Sequence, residues 1–198
     1  MNSTEEILEY SMSTLQSEAC INEITGWLDQ PNKSRFFACA NPHSIQVAET
    51  DDLFKQALLG ADLLTPDGVG IVLASRQLGG SIRDRVTGSD IFEGLHTALN
   101  ERGCCRVFFL GSTEEVLEEI KSKMADEYPG ITVAGTYSPP YKERFSEDDN
   151  REMIRVINAA KPDVLWVGMT APKQEKWIHE NRDKLDVKFI GAVGAVFD

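Results

Sequence analysis

The strongest constraint on the fold is a regular alternation. Short β-branched or aromatic runs are each followed by a longer amphipathic stretch, the pattern a parallel sheet needs when helices cover it. The extended candidates are Arg35–Ala40, Leu63–Thr65, Arg106–Leu110, Ile131–Ala134, Asp163–Val167 and Val187–Ile190. Helical periodicity covers Ser44–Leu59, Val69–Leu78, Asp90–Glu101, Glu114–Tyr128, Glu147–Ala160 and Pro172–Lys184. Ahead of the first strand, Ile7, Leu8, Met12 and Leu15, then Ile21, Ile24 and Leu28, are spaced as one or two helices. The reading is therefore α/β: a single Rossmann-like domain with a mainly parallel sheet of about six strands and helices on both faces. Residues 1–19 are expected to form an N-terminal helical extension, frayed at its start, and residues 20–198 the core domain.

At 198 residues the chain has room for one sizeable core. Its net charge of −12 opposes a polyanion, so nucleic acid is not an expected partner. No stretch approaches the roughly 18 apolar residues of a membrane span, and the start lacks the features of a secretory signal. Cys20, Cys39, Cys104 and Cys105 contain no CxxC and are expected to be reduced thiols.

In open parallel sheets ligands bind beyond the carboxyl ends of the strands, so the segments leaving those ends carry the candidate chemistry. Thr65-Pro66-Asp67-Gly68 places a carboxylate between a residue of fixed φ and one of free φ. Asp67 there is either a general base or the N-cap of the next helix. Leu110–Glu115 is either a phosphate loop around Gly111 or, on the better-supported reading, a capping box of Ser112 and Glu115. Gly191-Ala-Val-Gly194 is a second glycine-rich candidate, with close packing as its alternative.

Ser81–Gly88 carries Arg83 and Arg85 ahead of a helix that starts near Ser89 or Asp90. Arginine suits a diphosphate, although pairing with Asp84 is the commoner use. Ala171–Trp177 opens the last long helix with Pro172 at its first position, and Lys173 and Gln174 project beside free amides. The alternative is a solvated first turn anchored by Trp177. No metal-ligand spacing is present: Glu147, Asp148 and Asp149 follow Ser146 at a helix start, His96 and His179 are placed on helix surfaces, and His43 is left open.

Taken in order, Asn41, Thr65–Gly68, Arg85–Gly88, Phe109–Gly111, Ala171–Trp177 and Val193–Asp198 resemble the WecG/TagA/CpsF glycosyltransferases, from about Cys20 to the last residue. The resemblance implies an inverting, metal-independent enzyme with no cofactor. Such an enzyme moves N-acetylmannosamine or its uronic acid from a UDP-sugar donor to an undecaprenyl-diphosphate-linked acceptor, in bacterial teichoic acid, capsule or exopolysaccharide synthesis. It implies Asp67 as catalytic base, and Asn41, Arg85 and Gln174 as residues lining the donor pocket. Cys39 stands where the family carries threonine, and a thiol is the weaker hydrogen-bonding group. Lys173, Gly111, Gly191 and Gly194 complete the candidate substrate-binding set.

The family continues past the final Phe-Asp with a glycine-containing loop and a basic C-terminal segment that approaches the membrane. On its own, the 198-residue chain is accordingly expected to bind nucleotide weakly, turn over slowly and leave anionic vesicles alone. The complete protein is expected to be cytoplasmic, peripheral to the inner face of the cell membrane, with a homodimer allowed by resemblance only. The alternative reading is a UDP-sugar-binding core without turnover.

Overall fold

A computed structural model describes residues 3–31 and 34–197, with the side chain of Ala195 left out; the expected fraying at residues 1 and 2 lies outside them. The N-terminal segment corrects the helical expectation. Strands β1 (Thr4–Ile7) and β2 (Tyr10–Ser13) form an antiparallel hairpin, with Glu5 opposite Met12 and Ile7 opposite Tyr10. The buried apolar side chains of β2, Tyr10 and Met12, flank the exposed Ser11, and Ile7, Tyr10 and Met12 join the same buried cluster as Phe36 and Ile82. Tertiary burial of that face overrides a spacing that fits a helix equally well. The helix expected next is present as α1 (Ser17–Leu28), which buries Cys20, Ile24, Trp27 and Leu28.

The winding then proceeds through β3 (Arg35–Ala40), α2 (Pro42–Ala48), α3 (Asp52–Leu59), β4 (Leu63–Pro66), α4 (Val69–Gln77), α5 (Gly88–Arg102) and β5 (Cys105–Gly111). It continues through α6 (Glu114–Glu127), β6 (Ile131–Tyr137), α7 (Glu147–Ala160), β7 (Val164–Gly168), α8 (Lys173–Asn181) and β8 (Phe189–Ala192). The single helix expected over Ser44–Leu59 is two, because Asp51 caps a new start by accepting from the Phe54 N–H at 3.0 Å. Short 3-10 turns cover Arg182–Lys184 and Gly194–Phe197.

Strands β3 to β8 form one sheet in the order β4-β3-β8-β7-β5-β6, and every pairing is parallel. Alternation along β3 divides the core in two. Phe36, Ala38 and Ala40 face the layer of α2, α3, α4, α7, α8 and the hairpin, while Phe37 and Cys39 face α1, α5 and α6. The chain leaving β3 enters the first layer through Ile45 and Ala48, whereas the chain leaving neighbouring β8 enters the second through Val193 and Phe197. In open α/β sheets such a reversal marks the place on the carboxyl edge where ligands bind.

Candidate active site

Asn41 and Asp67 leave adjacent strands at this edge. Cys39 pairs with Thr65 and Ala40 with Pro66, and the Asp67 N–H donates to the Ala40 carbonyl at 2.8 Å. Gly68 allows the close approach, since a Cβ there would lie 3.2 Å from Asn41 Cβ and 3.0 Å from Pro42 Cδ. Asn41 caps α2: its Oδ1 accepts from the Ser44 N–H at 2.9 Å, and Ser44 Oγ accepts from the Asn41 N–H at 2.8 Å. The Asn41 amide nitrogen is left as the donor for other contacts.

The structure removes the N-cap reading of Asp67. Gly68, not Asp67, occupies the cap position of α4, and no side chain caps that helix. The half-buried carboxyl is free of capping, and burial raises its pKa, with Arg85 opposing the shift and Asp90 adding to it. Arg85 is brought there by its neighbour, because the Val86 N–H donates to the Pro66 carbonyl at 3.0 Å. Neither arginine of this loop takes Asp84, which accepts from Gln16; Arg83 donates to the Gly80 and Ile82 carbonyls. Helix α5 begins earlier than expected, in a capping box of Thr87 and Asp90.

Behind Asp67, Cys39 Sγ lies 3.3 Å from the buried Thr65 Oγ1. Burial keeps the Cys39 thiol protonated; the Thr65 hydrogen bond opposes that shift, and Asp67, Glu175 and Asp90 add to it. It is a neutral hydrogen-bonding group, as are the other free thiols that burial shifts upward, Cys20 and Cys105.

The far wall comes from the segment after β7. Gln174 is only 4% exposed, and its Oε1 accepts from the Met169 N–H at 3.1 Å and the Gly194 N–H at 3.0 Å. Its Nε2 donates to Glu175 Oε1 at 2.8 Å. Gln174 thus brackets the ends of β7 and β8, and Gly194 supplies the required φ of +54°. Lys173 is engaged by the 142–145 segment, with Nζ donating to the Lys142 carbonyl and 4.0 Å from the Phe145 ring centroid. Pro172 precedes α8 instead of forming its first residue.

The remaining glycines serve packing. Strand β8 runs two residues beyond the expected end, so Gly191 is a strand residue, and a Cβ there would sit 2.3 Å from Trp166 Cζ3. Gly111, at φ +128°, ends β5 against Gly168, whose carbonyl oxygen would be 2.2 Å from an added Cβ. It stands three strand spacings from Asn41, roughly 14 Å. Thr113, not Ser112, caps α6. His96 is corrected from helix surface to core: it is fully buried, its Nε2 accepts from Trp166 Nε1 at 3.0 Å, and burial lowers its pKa to about 3. Among the described residues no group of three His, Cys, Asp or Glu side chains is arranged to hold a metal ion. The last residue of the Val193–Asp198 motif lies outside the described residues.

The fold and site define a parallel α/β protein with Asn41 and the Asp67 carboxyl at the carboxyl edge of its sheet, beside a topological switch point. Residues 5–198 match the Glycosyl transferase WecG/TagA/CpsF family, and the chain belongs to that family. Among curated proteins it is similar to the N-acetylglucosaminyldiphosphoundecaprenol N-acetyl-beta-D-mannosaminyltransferase of Bacillus spizizenii, 33% identical over 174 residues, which are 88% of this chain and 65% of the relative. The proteins of the same description from Bacillus subtilis and Staphylococcus aureus NCTC 8325 are each 31% identical over 80% of this chain, covering 59% and 60% of their own lengths. The chain thus spans about three fifths of these relatives.

Proposed function

We propose that this chain carries the donor site and catalytic base of a glycosyltransferase. In this reading an N-acetylhexosamine, N-acetylmannosamine by analogy with the relatives' names, passes from UDP to a hydroxyl of a sugar held on undecaprenyl diphosphate. The observation that carries the reading is the Asp67 carboxyl: uncapped, half-buried at a strand end, and beside Arg85. A raised pKa brings a carboxylate closer to the basicity that proton abstraction needs at neutral pH. Asp67 takes the acceptor hydroxyl's proton, the oxygen attacks the anomeric carbon from the face opposite UDP, and the configuration inverts. Negative charge then grows on UDP, where Arg85 and the amides at the start of α4 offset it. No step requires a metal.

The outer face of α4 supports an acceptor with an apolar chain. Val69 and Leu73, one helical turn apart and beginning two residues after Asp67, are 62% and 56% exposed. The test is UDP release from UDP-N-acetylmannosamine with a lipid-linked N-acetylglucosamine acceptor. Asp67→Asn should lower turnover by about a hundredfold or more while donor binding persists; unchanged turnover contradicts the role of Asp67.

A further inference from the structure

The Glu5 carboxylate is held by a part of the chain at least 70 residues away. Glu5 shares a strand face with the buried Ile7, so its partly buried side chain is directed inward. Its Oε2 accepts from Ser75 Oγ at 3.0 Å, from the Ser81 N–H at 2.5 Å and from the Ile82 N–H at 3.2 Å, with the Ser81 hydroxyl at 3.3 Å. Gly80 keeps the place open, because a Cβ there would lie 2.0 Å from Glu5 Oε1. Amides and hydroxyls gathered around one carboxylate make an anion site that the chain fills itself. Burial disfavours the charge, but the hydrogen bonds from Ser81, Ser75 and Ile82 together outweigh it and lower the Glu5 pKa.

The held segment leads to Arg85. Residues 78–87, between α4 and α5, are neither helix nor strand, and Arg83, Asp84 and Arg85 are exposed. The segment is fixed from two sides. On one, Ile82 is 1% exposed in the same buried cluster as Ile7, Tyr10 and Met12 of the hairpin, and Asp84 accepts from Gln16 Nε2 at 2.8 Å. On the other, the Val86 N–H donates to the Pro66 carbonyl at 3.0 Å, next to Asp67. Among the described residues no hydrogen bond or ion pair holds the Arg85 side chain, so the backbone sets where its charge meets Asp67. Released from its anchors, such a loop would spread the guanidinium over many positions, and a ligand would have to order it on binding.

We propose that Glu5 is a positioning residue of the donor site: by holding the Ser81 and Ile82 amides it fixes the course of the chain to Arg85, so that the guanidinium stands beside Asp67 to receive the donor's diphosphate. The assignment rests on the glycosyl-transfer reading above. Glu5 acts only through Arg85, and the N-terminal hairpin becomes a working part of the site. A carboxylate that merely fastened the hairpin to the core would leave Arg85 as effective without it.

UDP is titrated calorimetrically at pH 7 into the unaltered chain, Glu5→Ala, Glu5→Gln, Arg85→Ala and the double variant Glu5→Ala/Arg85→Ala, with folding followed by thermal melting. Glu5→Ala should bind about fivefold more weakly, and Glu5→Gln, which keeps an accepting oxygen, within about twofold of the unaltered chain. On the Arg85→Ala background, Glu5→Ala should change binding by less than about twofold. Equal binding by folded Glu5→Ala, or an equal loss on both backgrounds, overturns this assignment only; no binding by the unaltered chain overturns the glycosyl-transfer reading and the assignment with it. Titration of the Asp67 carboxyl 13C resonance without ligand is the second check. Loss of the Glu5 charge alone would lower the Asp67 pKa, whereas withdrawal of Arg85 raises it. A rise in Glu5→Ala, in the same direction as in Arg85→Ala, is expected, and a fall or no change overturns the proposal. Should Glu5→Ala not fold, Gly80→Ala, whose methyl group displaces the carboxylate, replaces it in both measurements with the same expected and contradicting results.

Discussion

At the scale of single residues, Asp67 is tuned by two neighbours of opposite sign. Burial is the larger influence and raises its pKa; Arg85 favours the carboxylate and Asp90 disfavours it. A base acts only when ionised, so activity should rise with pH through the Asp67 pKa. Arg85→Ala removes the opposing cation and should move that acidic limb to higher pH, and Asp90→Asn should move it lower. Measuring kcat/KM against pH for both variants checks the signs, and limbs that coincide with the unaltered one contradict the assignment. Linkage gives a companion expectation. A carboxyl whose pKa is higher folded than unfolded loses stability as pH rises through that interval, so at neutral pH ionised Asp67 weighs against folding. Asp67→Asn should melt no lower than the unaltered chain at pH 7 while losing turnover.

Among the elements, glycines and aromatic rings set how closely the strands approach. A methyl group at Gly191 would strike Trp166, which is fully buried and donates from Nε1 to His96. Displacing the ring strains the core and breaks that bond, so Gly191→Ala should lower stability by about 3 kcal/mol in urea unfolding; a loss under about 0.5 kcal/mol would show that the ring gives way freely. The strands were legible because each is a short apolar run between turn residues, and the edge motifs followed from where those runs end. The hairpin was not: Ile7 and Met12 fit a helical spacing, and what decides against it is distant. The Glu5 carboxylate accepts from Ser75 Oγ and from the Ser81 and Ile82 N–H groups, with Gly80 leaving it room. The bracket made by Gln174 was hidden for the same reason, since it reaches Met169 and Gly194, and Gly194 is twenty residues along the chain. His96 follows Leu95 on α5, and its burial comes from Phe92, Phe109, Tyr128 and Trp166 closing around the ring.

For the molecule as a whole, the buried imidazole of His96 couples the fold to pH. Its pKa is about 3 when folded against an ordinary 6.5, so between these values the unfolded chain binds a proton that the folded chain refuses. The stability it allows is fully present above about pH 6.5 and is lost as pH falls toward 3. Plotting the melting temperature of His96→Gln against pH should give a shallower acid decline over that interval than the unaltered chain, and parallel curves would contradict the coupling. The two-layered core meets at the carboxyl edge, where Asp67, Arg85, Asn41 and the Gln174 bracket converge in a protein of net charge −12. On the proposed reading the anionic donor meets that edge through local donors and Arg85, since the protein's overall charge repels it. The most direct measurement is a calorimetric titration of UDP into the unaltered chain and Arg85→Ala, each with EDTA present. Binding that survives EDTA and weakens about tenfold without the guanidinium is the expected result. Binding that EDTA abolishes, or that Arg85→Ala leaves unchanged, would contradict a metal-free nucleotide-sugar site at the carboxyl edge of this sheet.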